Sequence, residues 1–214
     1  HGIIKKTRLK DYENLRASGL IAIRLRKDDS LVSVDLTSGE SHIILLSKNG
    51  KSIRFPEANV RPMGRATTGV SGIKLAAKDV LIGMGVFPGK EKTPRDKRKK
   101  MFRDILTISE HGLGKRTPIH LFPVQKRSGK GVKAAVVNEK TGTLAAAVMV
   151  TPKIEQVIIT SRSGQIIKLP LKNIPQLGRA TQGVILMRFA KKGDSVAAAA
   201  VLIKDLKEEV GEIK

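Results

Sequence analysis

The sequence predicts an all-β fold, a propeller-like array of four-stranded blades with about four repeats present. Three observations predict it. A turn ending in Gly and followed four residues later by a basic residue recurs at Gly2/Lys6, Gly50/Arg54, Gly112/Arg116 and Gly164/Lys168. From the second copy onward a further Gly follows at a constant offset of 19, at Gly69, Gly131 and Gly183. Each complete copy also reads as four short strands, and a repeat of this size with four strands matches a propeller blade, in which radial repetition protects sheet edges.

The first strand of a unit is a β-branched run, such as Ile43-Ile44-Leu45-Leu46, Ile105-Leu106-Thr107-Ile108 or Val157-Ile158-Ile159-Thr160. It ends in Asn49-Gly50, His111-Gly112 or Ser163-Gly164, where Gly supplies the positive φ of a tight hairpin. The second strand alternates apolar with basic residues, as in Ser52-Ile53-Arg54-Phe55 and Ile166-Ile167-Lys168-Leu169, the pattern of a half-solvated strand. A Pro-containing segment and a Gly-Arg loop come next. The third strand is expected over residues 70–75 and 184–189, and the fourth over 80–86, 144–150 and 196–201. The fourth is almost wholly apolar and rich in Ala and Gly, which predicts burial on both faces near a common axis.

The repeat units fall at about 1–38, 39–87, 104–150 and 154–203. The first is two residues shorter, with Gly19 for the offset Gly and Arg16 in the place of the loop Arg. Its leading strand is absent before His1-Gly2, so the chain is expected to be a fragment of a longer protein. Residues 88–103 hold eight basic and two acidic residues and read as a mobile insertion, because a like-charged run without apolar periodicity cannot bury a face. Residues 204–214 form a C-terminal tail of mixed charge.

With 41 Lys+Arg against 19 Asp+Glu, the formal charge of +22 points to a polyanionic partner, and nucleic acid leads a membrane surface because no basic amphipathic helix accompanies the charge. Trp is absent and aromatics are 3%, which argues against single-strand recognition by base stacking and leaves contact with a duplex backbone. There is no Cys, hence no disulfide or thiolate metal site. No phosphate-binding Gly-x-x-x-x-Gly-Lys-Ser/Thr occurs, and Gly83-Met84-Gly85 lies inside an apolar strand instead of opening a helix. His1, His42, His111 and His120 are scattered, and Tyr12 matches Val60, Phe122 and Ile174 in the other units, a packing position. No catalytic residue, metal ligand or bound cofactor is expected.

What remains is a basic loop in three versions: Gly64-Arg65-Ala66-Thr67-Thr68-Gly69, Lys126-Arg127-Ser128-Gly129-Lys130-Gly131 and Gly178-Arg179-Ala180-Thr181-Gln182-Gly183. The planar fork of Arg can donate two hydrogen bonds to one phosphate. The flanking Gly allow backbone N–H groups to approach it, and Thr67, Thr68 and Thr181 offer hydroxyls. The candidate DNA-binding residues are Arg16, Lys51, Arg54, Arg65, Lys115, Arg116, Lys126, Arg127, Lys130, Lys168 and Arg179. The competing structural role for such an Arg is to pair with a neighbouring blade.

The run from Leu45 through Lys48-Asn49-Gly50-Lys51-Ser52-Ile53-Arg54-Phe55 closely resembles the C-terminal domain of bacterial DNA gyrase A. So do Val60-Arg61-Pro62-Met63-Gly64-Arg65, Gly69-Val70-Ser71-Gly72-Ile73-Lys74-Leu75, Gly112-Leu113-Gly114-Lys115-Arg116-Thr117-Pro118 and the loop at residues 178–184. The resemblance implies a β-pinwheel, whose blades exchange strands, and a non-catalytic domain that wraps duplex DNA around a basic rim to support negative supercoiling. Cleavage and the use of ATP and Mg²⁺ would lie elsewhere in a complex with the rest of gyrase A and with gyrase B, in the bacterial cytoplasm at the nucleoid. Family pinwheels have about six blades, so one or two would precede this chain. Gln125-Lys126-Arg127-Ser128-Gly129-Lys130-Gly131 resembles the family's box motif, Gln-Arg-Arg-Gly-Gly-Arg/Lys-Gly, with Lys for the first Arg and Ser for the first Gly. It stands in the third unit instead of the first blade, as a degenerate copy. The alternatives are the corresponding C-terminal domain of topoisomerase IV and a protein-binding propeller.

Overall fold

Short β-hairpins closed by glycine form the scaffold. The structure, a computed structural model, describes residues 1–14, 17–89 and 103–203. After β1 (Ile3–Ile4), the second repeat pairs β2 (Ser41–Ser47) with β3 (Lys51–Pro56), then adds the two-residue β4 (Val70–Ser71) and β5 (Leu81–Pro88). The third repeat follows the same order with β6 (Asp104–Ser109), β7 (Leu113–Pro118), β8 (Val132–Lys133) and β9 (Leu144–Val150). The fourth has β10 (Ile154–Ser161), β11 (Ile166–Pro170), β12 (Val184–Ile185) and β13 (Val196–Ile203). Every second strand of these three repeats ends at a Pro and runs into a 3₁₀ turn: Glu57–Asn59, Ile119–Leu121 and Leu171–Asn173. A Pro that cannot extend the ladder, with φ already near −65°, starts such a turn at low cost.

The third strand does not join its own hairpin. The sheets run β1-β4, β5-β2-β3-β8, β12-β7-β6-β9 and β11-β10-β13. Thus β4, β8 and β12 each add to the sheet of the preceding repeat, in one register throughout: Ile4 opposite Val70, Ser52 opposite Val132, Gly114 opposite Val184. The offset glycines stand immediately before these strands, where the chain closes on the neighbouring backbone. Gly131 has φ +68°, and a Cβ there would lie 2.3 Å from the Ser52 carbonyl oxygen. Gly69 and Gly183 meet the carbonyls of Ile4 and Gly114 in the same way. Their spacing in the sequence is therefore fixed by strand exchange.

Two sequence expectations are corrected. The third strands are two residues long instead of six, because only the first two residues after the offset Gly pair with the ladder of the preceding repeat. The fourth strands are not buried on both faces throughout: β5 and β9 are partly buried and β13 is largely exposed. Burial on both faces belongs to β2 and β6, the first strands of the second and third hairpins, each internal to its sheet. Within the described part of the first repeat, residues 17–38 contain no strand, and Leu31, Val34 and Leu36 are exposed.

The described residues divide into two compact units, drawn from His1–Lys92 with Phe122–Ala134 and from Thr93–Leu121 with Ala135–Lys214. The first has a core of Ile4, Ile43, Leu45, Ile53, Phe55, Val60 and Ile73. Its buried acid Glu57 accepts hydrogen bonds from the Ser41 N–H and the Thr37 hydroxyl, both at 2.7 Å, and faces Lys6 at 3.4 Å. Burial works to raise this carboxyl's pKa, but these donors outweigh it and hold the group below the usual range. The second unit is built on Leu106, Ile108, Val150, Val157, Ile159, Ile174 and Val196. No helix among the described residues is long and apolar enough to cross a membrane.

Candidate nucleic-acid interface

The basic residues separate into those that hold repeats together and those that remain available to a ligand. In the first class is the residue four after the hairpin Gly in the first three copies, Lys6, Arg54 and Arg116. Arg116 Nε donates to the Ile174 carbonyl at 2.8 Å and its Nη1 to buried Asp104 at 3.1 Å, while Gln176 Nε2 donates to both Asp104 oxygens at 3.0 and 2.9 Å. Arg54 is the matching residue one repeat earlier. Its Nη1 donates to the Phe122 carbonyl at 3.2 Å, its Nε to His42 Nδ1 at 3.2 Å, and its guanidinium lies 4.9 Å from the centre of the Phe87 ring. Lys6 reaches the Glu57 carbonyl at 3.0 Å. Each of these sites also carries a parallel backbone bridge to the next repeat, Lys6 to Pro62, Arg54 to Val124 and Arg116 to Gln176. The sequence pattern assigns Arg54 and Arg116 to a DNA surface; in the structure they are clamps between consecutive repeats.

Lys115 is a second correction, since it is fully buried. Its ammonium donates to the carbonyls of Gly178 and Arg179, both at 2.6 Å, and to Thr181 Oγ1 at 3.1 Å. Burial first, and then the charge of Arg179, push its pKa down to about 8. Lys5, absent from the sequence-derived set, plays the same part in the first repeat, donating to the carbonyls of Arg65 and of Ala22. The sequence does carry a signal for it: Lys precedes the clamp residue at Lys5 and Lys115, whereas Ile53 and Ile167 stand there in the other copies.

Above these lysines the Gly-Arg-Ala-Thr loops are turns centred on Arg65-Ala66 and Arg179-Ala180. Thr67 and Thr181 do not offer their hydroxyls outward. Each donates back to the first Gly of its loop, Gly64 or Gly178, at 2.8 Å. The Arg65 and Arg179 side chains are partly exposed.

The box-like loop is held differently. Arg127 Nε donates to the Asn59 carbonyl at 2.8 Å and its Nη1 to the Ser71 carbonyl at 2.9 Å. Ser128, at φ +68°, donates its N–H to Gly72 and its hydroxyl to Ser71, and the Lys74 N–H donates to the Gly129 carbonyl. This segment is stitched to the second repeat. Gln125 donates its N–H to Arg54, while its buried Oε1 has no hydrogen-bond partner. Lys126 and Lys130 are exposed, as are Lys51 and Lys168. Arg16, nearly all of the basic insertion and the tail lie outside the described residues. Among the described residues no group of His, Asp and Glu is arranged to hold a metal ion.

Hairpin repeats that each lend a short strand to the sheet of the one before define a strand-exchanging, propeller-like class of all-β protein. The family model described as the DNA gyrase C-terminal domain, beta-propeller, matches residues 1–38, 41–88, 103–151 and 155–202, and the chain belongs to that family. The DNA gyrase A protein of Staphylococcus aureus (strain NCTC 8325 / PS 47) is 36% identical over 99% of the chain. The match takes in 22% of that relative, so the chain spans about a fifth of its length. Among solved structures, the C-terminal domain of a DNA topoisomerase IV superposes with a TM-score of 0.81 at 22% identity, covering 94% of this chain and 59% of that one. A DNA gyrase A C-terminal domain superposes at 0.74 with 23% identity, covering 94% and 63%. At these identities the superpositions speak for the fold.

Proposed function

We propose that this chain binds and wraps duplex DNA as the C-terminal domain of a gyrase A protein, without catalytic chemistry of its own. The observation that carries this reading is the separation of basic residues on a +22 chain of that family. Lys51, Lys126, Lys130 and Lys168 are exposed, and Arg65 and Arg179 stand at turn centres. These six are the proposed phosphate contacts. Their engagement is electrostatic and indifferent to base sequence, because a phosphate contact positions a duplex without reading it. Bending 20–30 bp by 40–90° costs roughly 1–6 kcal/mol, which counterion release must offset.

In the longer protein the wrapped segment would be delivered for strand passage, giving negative supercoiling driven by ATP with Mg²⁺ in the other parts of a complex with gyrase B, in the bacterial cytoplasm and at the nucleoid. A second reading, DNA bending as the C-terminal domain of a topoisomerase IV, is favoured by Lys126 and Ser128, which stand where the box motif has Arg and Gly.

Duplex affinity measured by fluorescence anisotropy between 50 and 200 mM salt tests the binding. About six contacts predict a fall on the order of 10³. Lys126→Ala with Lys130→Ala should reduce the slope of log affinity against log salt by about two, and Arg54→Ala should leave the slope unchanged. Relaxed circular DNA closed by ligase in the presence of the chain then reports wrapping. A shifted linking number supports the wrap, and an unchanged one reduces the function to binding and bending.

A further inference from the structure

Lysine lies beneath both Gly-Arg-Ala-Thr loops, and isoleucine lies beneath the box-like loop. Ile53 Cδ1 is 3.5 Å from the place a Cβ on Gly129 would take. The lysines are matched to their loops by number of acceptors: three donors of the Lys115 ammonium meet two carbonyls and one hydroxyl. Among the described residues no peptide bond is cis, and in a trans peptide the C=O and N–H point in opposite directions. With the carbonyls of Gly178 and Arg179 turned inward, the N–H groups of Arg179 and Ala180 are turned outward. The Arg65 carbonyl, held by Lys5, does the same for the N–H of Ala66.

We propose that Lys115 and Lys5 are positioning residues for phosphate contact, making the loops at 178–183 and 64–69 anion seats in which outward N–H groups and an Arg side chain meet one backbone phosphate. This rests on the DNA-binding reading above. The lysines touch no DNA. They fix which face of each turn the ligand meets, and the box-like loop, floored by Ile53, contributes only its exposed lysines. The charged group bearing on Lys115 is Arg179 from the loop. On the adjoining strand β6 its opposite residue is Thr107, and on its own strand Arg116 faces Asp104. A bound phosphate therefore adds negative charge beside the Lys115–Arg179 pair, favours the protonated lysine, and draws a proton when binding occurs at or above pH 8.

The test compares duplex affinity of the 214-residue chain, Lys5→Ile/Lys115→Ile and Arg65→Ala/Arg179→Ala, from pH 7 to 9.5 and at several salt concentrations, with melting as a check on folding. Isoleucine is the residue the chain itself uses at the equivalent place, Ile53. The expected result is that both double variants lower the salt slope by about two. The parent's affinity should also fall as pH rises past 8, with that fall absent in the isoleucine variant. A folded isoleucine variant with the parent's slope, beside a weakened arginine variant, overturns the proposal and leaves DNA binding standing. So does a parent affinity that is flat with pH, which needs no variant to fold. Absence of duplex binding by the parent overturns both.

Discussion

Asp104→Ala is the sharpest probe of how consecutive repeats are joined. The Asp104 side chain is 1% exposed and accepts from Arg116 Nη1 at 3.1 Å and from Gln176 Nε2 on both oxygens. Truncation leaves a guanidinium and an amide facing a void. Removing one partner of a buried ion pair costs roughly 3–5 kcal/mol, because the other charge is left uncompensated. The lower end applies, since Arg116 is 13% exposed and keeps its Nε bond to Ile174 at 2.8 Å. A loss of about 3 kcal/mol corresponds to a melting temperature lower by roughly 6–12 °C in a chain of this size. Circular dichroism melts of parent and variant measure it directly. A variant melting within about 2 °C of the parent would show that the cluster holds nothing together.

Gly131→Ala should lose at least about 2 kcal/mol, because a positive φ and a Cβ 2.3 Å from the Ser52 carbonyl act together. Gly164→Ala has φ +88° and no atom within 4 Å of the new Cβ, so it should lose only about 1 kcal/mol; equal urea midpoints for the two would refute the close-approach argument. His42 has its pKa lowered, first by burial and then by Arg54, so folding favours the neutral ring that accepts from Arg54 Nε. Its contribution is complete above the usual value near 6.5 and is lost as pH falls through 6.5 toward the folded value. Melting temperature should therefore decline from pH 7.5 to 5, above the window in which Glu57 titrates, and His42→Asp should flatten the decline; a parent already flat there would contradict it.

The hairpins are legible because local signals fix them: Gly50, Gly112 and Gly164 close turns between β-branched runs whose partners lie a few residues away. The ownership of the third strands is not, since the partner of Val132 is Ser52 and two residues carry too little alternation to name a ladder. The apolar fourth strand misleads for a related reason. Ala and Gly fit a strand open to solvent as well as one buried on both faces, and β13 is of the first kind. Among the cations, Arg54 and Arg116 alternate with apolar neighbours as solvent-facing residues do, yet their outward face is covered by the following repeat. Lys115 reads as surface because buried lysine is rare. Lys51, Lys126, Lys130 and Lys168, exposed in the structure, are legible from charge alone.

Strand exchange also sets where the chain can be cut. A sequence repeat counted from one hairpin to the next takes away its predecessor's closing strand when it is deleted, and leaves its own sheet open when it is copied. The modular piece is offset from the repeat: residues 122–134 belong by sequence to the third copy and by packing to the unit before it. Truncation just before β4, β8 or β12 is therefore expected to leave β1, β3 or β7 of the preceding repeat with an unpaired edge.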